Sequence, residues 1–453
     1  MYTYLLVLKD AFSNNDFHWY IVFYTFIILR WIIIFYTSSK YKPFYHENPE
    51  FFTTVIVPVV DEEPDLFKSV LARISEQKPD EIIIVINGPE NPVLYQTSLE
   101  AAESTEVPIH VHYTPVPGKR NAIRIGVENS DPRSEISFLV DSDVVWTENV
   151  LLNMLMPFAC DENIGGVTTR QKILDPDRNA ITITASILEE VRAEGSMKGM
   201  SVYGKVGCLP GRTIAFRTSI LRECMDEFMT ETFMGIHKEV SDDRSLTNIT
   251  LKRGYKTVMQ DTAVVYTDCP VNWKKYFRQQ LRWAEGSQYN NIRMSPWMLK
   301  NSKLMLYIFG TDMLLPFMLF GTIVNSILCF FVRTNGGRLY AVPHQAPFYL
   351  SLALMYVGSA LTFSIRNVRM LKQTKSEYMY FFPFLVLFLS LFMAPLRIIA
   401  LSRCADNLSW GTRKTGTSSS GRMLNFYQMF MRLMVIVLLH AFAFLSFYIE
   451  YCF

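Results

Sequence analysis

Long apolar blocks alternate with a region of mixed polarity along this chain. Residues 19–37 are almost wholly apolar and are long enough to cross a bilayer as a helix. Further apolar blocks follow residue 300, at 304–332, 346–365, 378–401 and 423–449. The pattern predicts a soluble region inserted between membrane helices. The first block is expected to be an anchor, because no small-residue cleavage site follows it.

The central region, from about residue 51 to 300, predicts an α/β domain. Short apolar runs at 53–60, 81–87 and 136–143 are continuous enough to be buried parallel strands, and amphipathic stretches separate them. Strands that alternate with helices imply βαβ units in a doubly wound sheet, which binds ligands beyond the carboxyl ends of its strands. The polar residues that follow these runs are Asp61, Glu62, Asn87, Asp141 and Asp143.

Basic residues set the expected orientation of the membrane segments. Lys40 and Lys42 follow the first apolar block, and segments 366–377 and 402–422 are rich in Lys and Arg. By the positive-inside rule these segments and the central region are expected in the cytoplasm. Two cytoplasmic loops around block 378–401, which contains two prolines, predict a broken or interfacial helix there.

Composition and charge narrow the possible functions. The chain has 453 residues, of which 50% are hydrophobic and 19% are charged, and its formal net charge is +2. This small charge, without a long basic run, excludes a nucleic-acid partner. The seven cysteines form no CxxC pair and no Cys/His cluster with zinc-ligand spacing, so reduced thiols are expected.

The segment LVDSD ends a predicted strand with two carboxylates. Asp141 and Asp143 are expected to hold Mg²⁺ or Mn²⁺, which would complete its coordination with water and phosphate oxygens. A chance triplet in a turn is the alternative, but the position at the carboxyl end of a strand favours a metal site.

The segment PGKRNAI predicts a junction between a loop and a helix. Backbone N–H groups at such a helix start, together with Lys119 and Arg120, could bind a diphosphate. A solvated basic turn is the alternative interpretation.

Two later segments add candidates for catalysis and acceptor binding. EVSDDRSLTN has Asp242 and Asp243 at a predicted helix start, where one could be an N-cap and Asp243 could be a general base for an acceptor hydroxyl. RQQLRWAEGSQ carries Gln279, Arg282 and Trp283 on one helical stretch. Arg282 could contact phosphate, and Trp283 could pack against a sugar ring, although an interfacial helix with aromatic anchors would also have this pattern.

These motifs, in this order and before a membrane domain, resemble the processive family-2 glycosyltransferases, which include cellulose, chitin and hyaluronan synthases. The resemblance covers nearly the whole chain. It implies a GT-A-like α/β catalytic domain between transmembrane helices, a UDP-sugar donor, Mg²⁺ or Mn²⁺, and inversion at the anomeric carbon. It also implies a polymer channel built from the same polypeptide.

The resemblance implies roles for individual residues. Asp243 matches the catalytic base, Trp283 the acceptor contact, and Asp141 with Asp143 the metal-binding pair. The residues implied to bind the nucleotide sugar are Glu62, Asn87, Lys119, Arg120, Asp141, Gln279 and Arg282. Asn87 departs from the pattern, since many relatives have Asp there. SWGTRKTG is similar to a W-G-T gating loop, which implies that a loop closes over the donor through Trp410, Gly411, Thr412, Arg413 and Lys414. An ordinary basic loop is the alternative.

Longer blocks, such as GKVGCLPGRTIAFR and ETFMGIHKEVSDDRSLTN, resemble bacterial capsular polysaccharide synthases. They imply a multi-pass plasma-membrane enzyme that polymerises UDP-glucose and UDP-glucuronic acid, with the growing polysaccharide and membrane lipids as partners. The implied organisation is an anchor (1–45), a cytoplasmic catalytic domain (46–300) and membrane helices with a gating loop (301–453, loop 402–422).

Three alternatives to this function stay open. They are a hyaluronan- or chitin-type synthase, a non-processive transferase that acts on a lipid carrier, and a transporter with a regulatory domain. A donor pocket that accepts glucuronate needs a cation to pair with its carboxylate. The candidates are Arg170, Arg192, Lys205 and Arg212.

Overall fold

The computed structural model describes residues 18–335, 338–341, 345–371, 381–406 and 422–451. The described residues divide into a helical unit, within Met1–Phe35, Tyr307–Ala405 and Gly421–Phe453, and an α/β unit, within Tyr36–Leu306 and Asp406–Ser420. The domain limits at residues 45 and 300 stay a prediction.

An eight-stranded sheet forms the centre of the α/β unit among the described residues, and two short antiparallel strand pairs lie outside it. The strands are β1 (Thr53–Val59), β2 (Glu81–Asn87), β3 (Ile109–Thr114), β4 (Ile136–Val140), β5 (Val144–Trp146), β6 (Ile164–Ile173), β7 (Thr213–Arg217), β8 (Thr232–Phe233), β9 (Ile236–His237), β10 (Lys256–Thr267), β11 (Val332–Asn335) and β12 (Arg338–Ala341). The order in the large sheet is β3-β2-β1-β4-β7-β6-β10-β5.

The sheet is parallel on one side and mixed on the other. Strand β1 pairs in parallel with β2 and β4, and β2 pairs in parallel with β3. Every residue of β1, β2 and β4 is buried, which explains why each is a continuous apolar run. The three predicted strands and the α/β fold are confirmed. Strand β7, however, runs antiparallel to both β4 and β6, and β5 runs antiparallel to β10.

Helices connect and cover these strands and make up most of the helical unit. They are α1 (His18–Ser38), α2 (Pro64–Ser75), α3 (Pro92–Glu103), α4 (Lys119–Glu128), α5 (Val150–Cys160), α6 (Ala180–Arg192), α7 (Lys198–Ser201), α8 (Thr218–Met229), α9 (Asp242–Lys252), α10 (Trp273–Asn301), α11 (Lys303–Phe331), α12 (Gln345–Leu371), α13 (Phe382–Phe388), α14 (Ala394–Arg403) and α15 (Arg422–Tyr451).

Helix α2 illustrates how the sequence builds these layers. The carboxylate of Glu63 accepts a hydrogen bond of 2.8 Å from the Leu66 N–H, and Pro64 occupies the first turn, so the start of the helix is well capped. The side chains that α2 buries have the spacing of one helical face, and they are Phe67, Val70, Leu71 and Ile74. They join the same apolar core as strands β1 and β2, and each contributes about 1.5–3 kcal/mol through burial. This packing holds Glu62, just before the helix, at the edge of the sheet.

Four of the described helical stretches are long and apolar enough to cross a membrane. They are His18–Ser38, Lys303–Leu328, Pro383–Arg403 and Phe426–Tyr451. The first stretch contains one charged residue, Arg30, which forms an ion pair with Asp312 within the helical unit. Arg30 is 4% exposed, donates from Nε to Thr311, and lies 2.5 Å from the carboxylate of Asp312. Such pairing is required of a charge among apolar helices.

The stretch predicted to be a broken or interfacial helix contains a local irregularity. A π-helical segment, Leu389–Met393, connects α13 to α14. The stretch Pro383–Arg403 is nevertheless long and apolar enough to span a membrane. The broken or interfacial helix therefore stays a prediction. The predicted gating-loop residues 410–414 lie outside the described residues.

Candidate active site

Three acidic side chains predicted from two segments, Glu62, Asp141 and Asp143, come together beyond the carboxyl ends of β1 and β4. Ser142 donates a hydrogen bond of 3.0 Å to the carboxylate of Glu62, which joins the two strand ends. Burial, together with the nearby charges of Asp141 and Glu62, raises the pKa of Asp143 to about 7. Burial also raises the pKa of Glu62. These carboxylates destabilise one another, so a bound cation would be favoured here.

The predicted metal site fits this arrangement if the substrate supplies further ligands. Among the residues that the structure describes, no group of three or more His, Cys, Asp or Glu side chains could hold a metal ion. Asp141 and Asp143 offer hard oxygen ligands, and Mg²⁺ is commonly held by one or two carboxylates plus substrate phosphates. These two residues would hold the ion, and the diphosphate and water would complete its coordination.

The turn before α4 is held in place by Asn87. Gly118, directly before the helix, has a φ of 145°, in the region that favours glycine. Asn87 is 1% exposed, donates from Nδ2 to the Val59 carbonyl at 3.0 Å, and accepts from the Gly118 N–H at 3.0 Å. Both polar atoms of this amide therefore bind the protein itself. The predicted contact of Asn87 with a nucleotide does not fit this geometry, and its observed role is to position the turn.

Lys119, the first residue of α4, points into the site. Its ammonium group forms an ion pair with Asp141. Burial alone would lower the pKa of Lys119, but the carboxylates of Asp141, Asp242 and Asp243 outweigh burial and raise it. Gly211 lies close to both residues: if it carried a Cβ atom, this atom would be 3.5 Å from Nζ of Lys119 and 3.1 Å from Cβ of Asp243. Lys119 is thus a permanent cation between the predicted metal ligands and the predicted base.

Arg120, the next residue, points into the core instead. It is 4% exposed, and its guanidinium group bonds Glu231 at 2.6 Å and Asp242 at 2.8 Å. It also donates to the backbone carbonyls of Phe228 and Val240. The prediction that Arg120 contacts a diphosphate is contradicted by this geometry, because two buried carboxylates and two carbonyls already occupy the guanidinium group.

The two adjacent cations are therefore expected to respond differently to substitution. Removing one partner of a buried ion pair typically costs about 3–5 kcal/mol, so Arg120→Gln should lower the unfolding temperature clearly. Lys119→Gln should instead weaken donor binding about tenfold or more, since it removes the cation predicted to face the diphosphate. Its thermal shift should be smaller, because its partner Asp141 is less buried than the partners of Arg120. Thermal unfolding in detergent and nucleotide-sugar titration measure both quantities. Equal thermal shifts with unchanged donor affinity would assign Lys119 to the core as well.

The two acids at the start of α9 are also separated by their surroundings. Asp242 is buried against Arg120, and burial raises its pKa. The carboxylate of Asp243 accepts hydrogen bonds from the Gly211 N–H at 3.1 Å and from the Arg244 N–H at 2.7 Å. The Asp242 carboxylate is paired with Arg120, whereas the Asp243 carboxylate lies at the glycine turn that Lys119 also approaches, so the geometry supports Asp243 as the candidate base.

The remaining predicted residues, Gln279, Arg282 and Trp283, lie on helix α10, which packs near Asp243. It packs closely on the start of α9, since a Cβ atom at Gly286 would lie 2.6 Å from Oγ of Ser241. Tyr289 strengthens this contact by donating to the Val240 carbonyl at 2.9 Å. Trp283 is 38% exposed and so presents part of its indole ring. The half-buried residues Gln279 and Arg282 lie on the same helix.

The turn at Pro210–Arg212 belongs to the site, and the sequence analysis does not predict it. From the sequence, Arg212 is a candidate only as one of four cations, and Gly211 is not a candidate. The Arg212 carbonyl accepts a hydrogen bond of 2.9 Å from the Asp141 N–H, while the Gly211 N–H contacts Asp243. The Pro-Gly pair before β7 was the available signal, because such pairs mark turns whose backbone can approach other groups closely.

The acidic cluster at the edge of the mixed sheet, with a cation beside it, is the kind of site that a nucleotide-sugar transferase requires. Residues 49–286, more than half of the chain, match the family model described as "Glycosyltransferase like family 2". The chain therefore belongs to glycosyltransferase family 2. It is an enzyme with a family-2 catalytic domain and helices long enough to cross a membrane.

The chain is similar to several characterised proteins. The hyaluronan synthase of Streptococcus pyogenes is 27% identical over 343 residues, which are 74% of this chain and 77% of that protein. Hyaluronan synthase 3 of Homo sapiens is 25% identical, over 46% of this chain and 38% of its own length. An N-acetylglucosaminyltransferase of Azorhizobium caulinodans is 27% identical, over 49% of this chain and 54% of its own length. These last two matches span about half or less of the relatives' lengths.

A solved structure is also similar at low identity. It is a mannosyltransferase of Pyrobaculum calidifontis in complex with GDP-Man and Mn²⁺, with 15% identity and a TM-score of 0.48. The match covers 85% of this chain and 99% of that chain.

Proposed function

We propose that this chain is a processive, inverting glycosyltransferase that polymerises UDP-glucose and UDP-glucuronic acid into a capsular polysaccharide and passes it across the membrane. The observation that carries the proposal is the convergence of Asp141, Lys119 and Asp243 around Gly211, beside Trp283. This arrangement has a cation for a diphosphate, a base for an acceptor hydroxyl and an aromatic face for a sugar ring. The similarity to the streptococcal hyaluronan synthase, which extends over 74% of this chain, supports a processive enzyme.

The proposed reaction assigns a task to each of these groups. Mg²⁺ or Mn²⁺, when bound at Asp141 and Asp143, supplies positive charge that offsets the charge of the leaving diphosphate. Lys119 adds a fixed cation beside it. Asp243 removes the proton from the acceptor hydroxyl as this attacks the anomeric carbon, and the N–H groups of Gly211 and Arg244 hold the carboxylate in position. Trp283 packs against the acceptor sugar.

The helical unit completes the proposed enzyme. Lys and Arg in segments 366–377 and 402–422 favour a cytoplasmic position for the loops and for the α/β unit, at the plasma membrane. Four apolar stretches supply membrane helices for a polymer path. The segment with Trp410 and its neighbours up to Lys414 acts as the gating loop that closes over the donor.

A hyaluronan-type synthase is the second candidate, because the relatives include hyaluronan synthases and an N-acetylglucosaminyltransferase. The two candidates share the site described above and differ in the donor pair. An enzyme that alternates two sugars meets a different terminal sugar after each addition. Selection can therefore come from how each terminus packs beside Trp283, with a single donor pocket.

The donor pair is tested by incubating purified protein with each UDP-sugar singly and in pairs. We expect polymer longer than a few sugars only when UDP-glucose and UDP-glucuronic acid are both supplied. In an alternating chain, each glucose terminus accepts only glucuronate, and each glucuronate terminus accepts only glucose. Chain length is measured by gel filtration of radiolabelled product. Long polymer from UDP-N-acetylglucosamine with UDP-glucuronic acid would replace the proposal with the hyaluronan type. Long polymer from one donor would replace it with the cellulose or chitin type.

A further inference from the structure

The four cations considered for a glucuronate carboxylate lie in different surroundings, and Arg170 is unsuitable. It is 8% exposed and contacts the carboxylates of Glu190, Glu194 and Asp261. Lys198 joins the same cluster through Glu194 and Asp261. Three carboxylates and two cations leave one negative charge in excess, which would repel an anionic sugar.

Lys205 lies outside the site. Its ammonium group is 4.9 Å from the ring centroid of Trp297. Trp297 is almost four turns beyond Trp283 in α10, which corresponds to about 21 Å along the helix. A sugar that packs beside Trp283 is therefore out of reach of Lys205.

The other two cations share one cluster. Glu189 lies 2.6 Å from Nη2 of Arg192 and 3.0 Å from Nη1 of Arg212, and Gln171 accepts hydrogen bonds from both guanidinium groups. Burial alone would raise the pKa of Glu189, but the two arginines outweigh burial and lower it. Within these ion pairs, two guanidinium groups and one carboxylate leave one positive charge in excess, and Arg212 also lies near enough to Asp143 to oppose the rise in the pKa of that carboxyl group. This charge balance is the opposite of that around Arg170.

Arg212 is the member of this cluster that reaches the reacting groups. Its carbonyl binds the Asp141 N–H, and the neighbouring Gly211 N–H binds Asp243. The guanidinium carbon lies 5.4 Å from the ring centroid of Trp283. Arg212 thus lies where the metal ligands, the candidate base and the acceptor tryptophan meet.

The geometry leaves donors of Arg212 available for a ligand. Within the described part of the chain, Nη1 makes both of its hydrogen bonds to Gln171 and Glu189. Nη2 and Nε remain, and adjacent N–H groups of a guanidinium plane bind a carboxylate in bidentate fashion. The same N–H groups can donate to a neutral hydroxymethyl oxygen, so one pocket can accept both sugars.

We infer that Arg212 is the specificity-determining residue that binds the carboxylate of the hexuronate donor, held in place by Glu189 and Gln171. This inference rests on the proposed use of UDP-glucuronic acid. Arg212 would then distinguish the two donors by a charge-assisted hydrogen bond that only the acidic sugar receives.

The test measures single additions to oligosaccharide acceptors of defined terminus by purified full-length protein. Arg212→Gln should lower kcat/KM for UDP-glucuronic acid on glucose-ended acceptors about 10- to 100-fold. Addition of UDP-glucose to glucuronate-ended acceptors should change less than threefold. Arg212→Lys keeps the charge and loses the planar fork, so it should fall between wild type and Arg212→Gln. Lys205→Gln removes one positive charge away from the site and should leave both donors unaffected.

Three results would overturn the inference. Equal loss with both donors would make Arg212 a positioning residue for the turn. Selective loss of UDP-glucose addition to glucuronate-ended acceptors would mean that Arg212 binds the acceptor carboxylate. Unchanged kinetics would remove it from specificity altogether. Wild-type protein that cannot use UDP-glucuronic acid is recognised before any variant is made, and that outcome contradicts the proposed function itself.

Discussion

Replacing Asp243 by Asn is expected to lower sugar transfer about 10²–10⁴-fold while UDP-sugar binding stays nearly unchanged, which is the usual cost of losing a general base. The amide keeps the shape of the carboxylate but cannot take a proton. Its oxygen can still accept from the Gly211 or Arg244 N–H, so the turn should remain in place. Initial rates of UDP release and equilibrium titration with UDP-sugar measure the two effects separately.

Asp242→Asn is the matched control, because it makes the same chemical change one residue away. Asp242 is buried against Arg120, so its loss should lower the unfolding temperature more than Asp243→Asn does. Its effect on the rate should be smaller, since its carboxylate faces the core. Full activity of Asp243→Asn, with a large rate loss in Asp242→Asn, would transfer the role of base to Asp242.

Removing the metal ligand Asp143 should have the second large effect. Asp143→Ala is expected to weaken both divalent-metal and UDP binding and to lower transfer about 10²–10³-fold, because the ion offsets the diphosphate charge. A chelator should reproduce this loss in wild-type protein. Glu148→Ala is a suitable control, since this exposed carboxylate lies a few residues further along the chain and outside the site. Full activity in the presence of chelator would exclude the metal from the reaction.

The same carboxyl group should make metal binding depend on pH. Its pKa is raised to about 7, so without metal it is protonated below this pH, and an ion must displace the proton to bind. Affinity for Mn²⁺ should therefore rise about fivefold between pH 6 and pH 7 and at most about twofold more above pH 7. Titrations of Mn²⁺ at several pH values measure this. Affinity that is flat across the range would place the ion on other ligands.

Much of the architecture was predictable because it depends on local patterns. Strands β1, β2 and β4 are buried along their whole length, so each appears as an apolar run in the sequence. Helix starts at Lys119 and Asp242 follow from the glycine and the acidic residues near them. The direction of β7 was not predictable, since a buried antiparallel strand between two others is as uniformly apolar as a parallel one.

Local patterns and long-range contacts thus determine different features of this protein. The sequence by itself determined the membrane blocks, the buried strands and the candidate motifs, because these depend on residues only a few positions apart. Only the tertiary structure decided that Lys119 faces the site while Arg120 enters the core, where its acidic partners lie 111 and 122 positions further along the chain. It likewise separated Arg170 from Arg212, since the charge around each comes from carboxylates on distant elements. A side chain's partners are chosen by packing across the whole domain, and no short window of sequence contains that information.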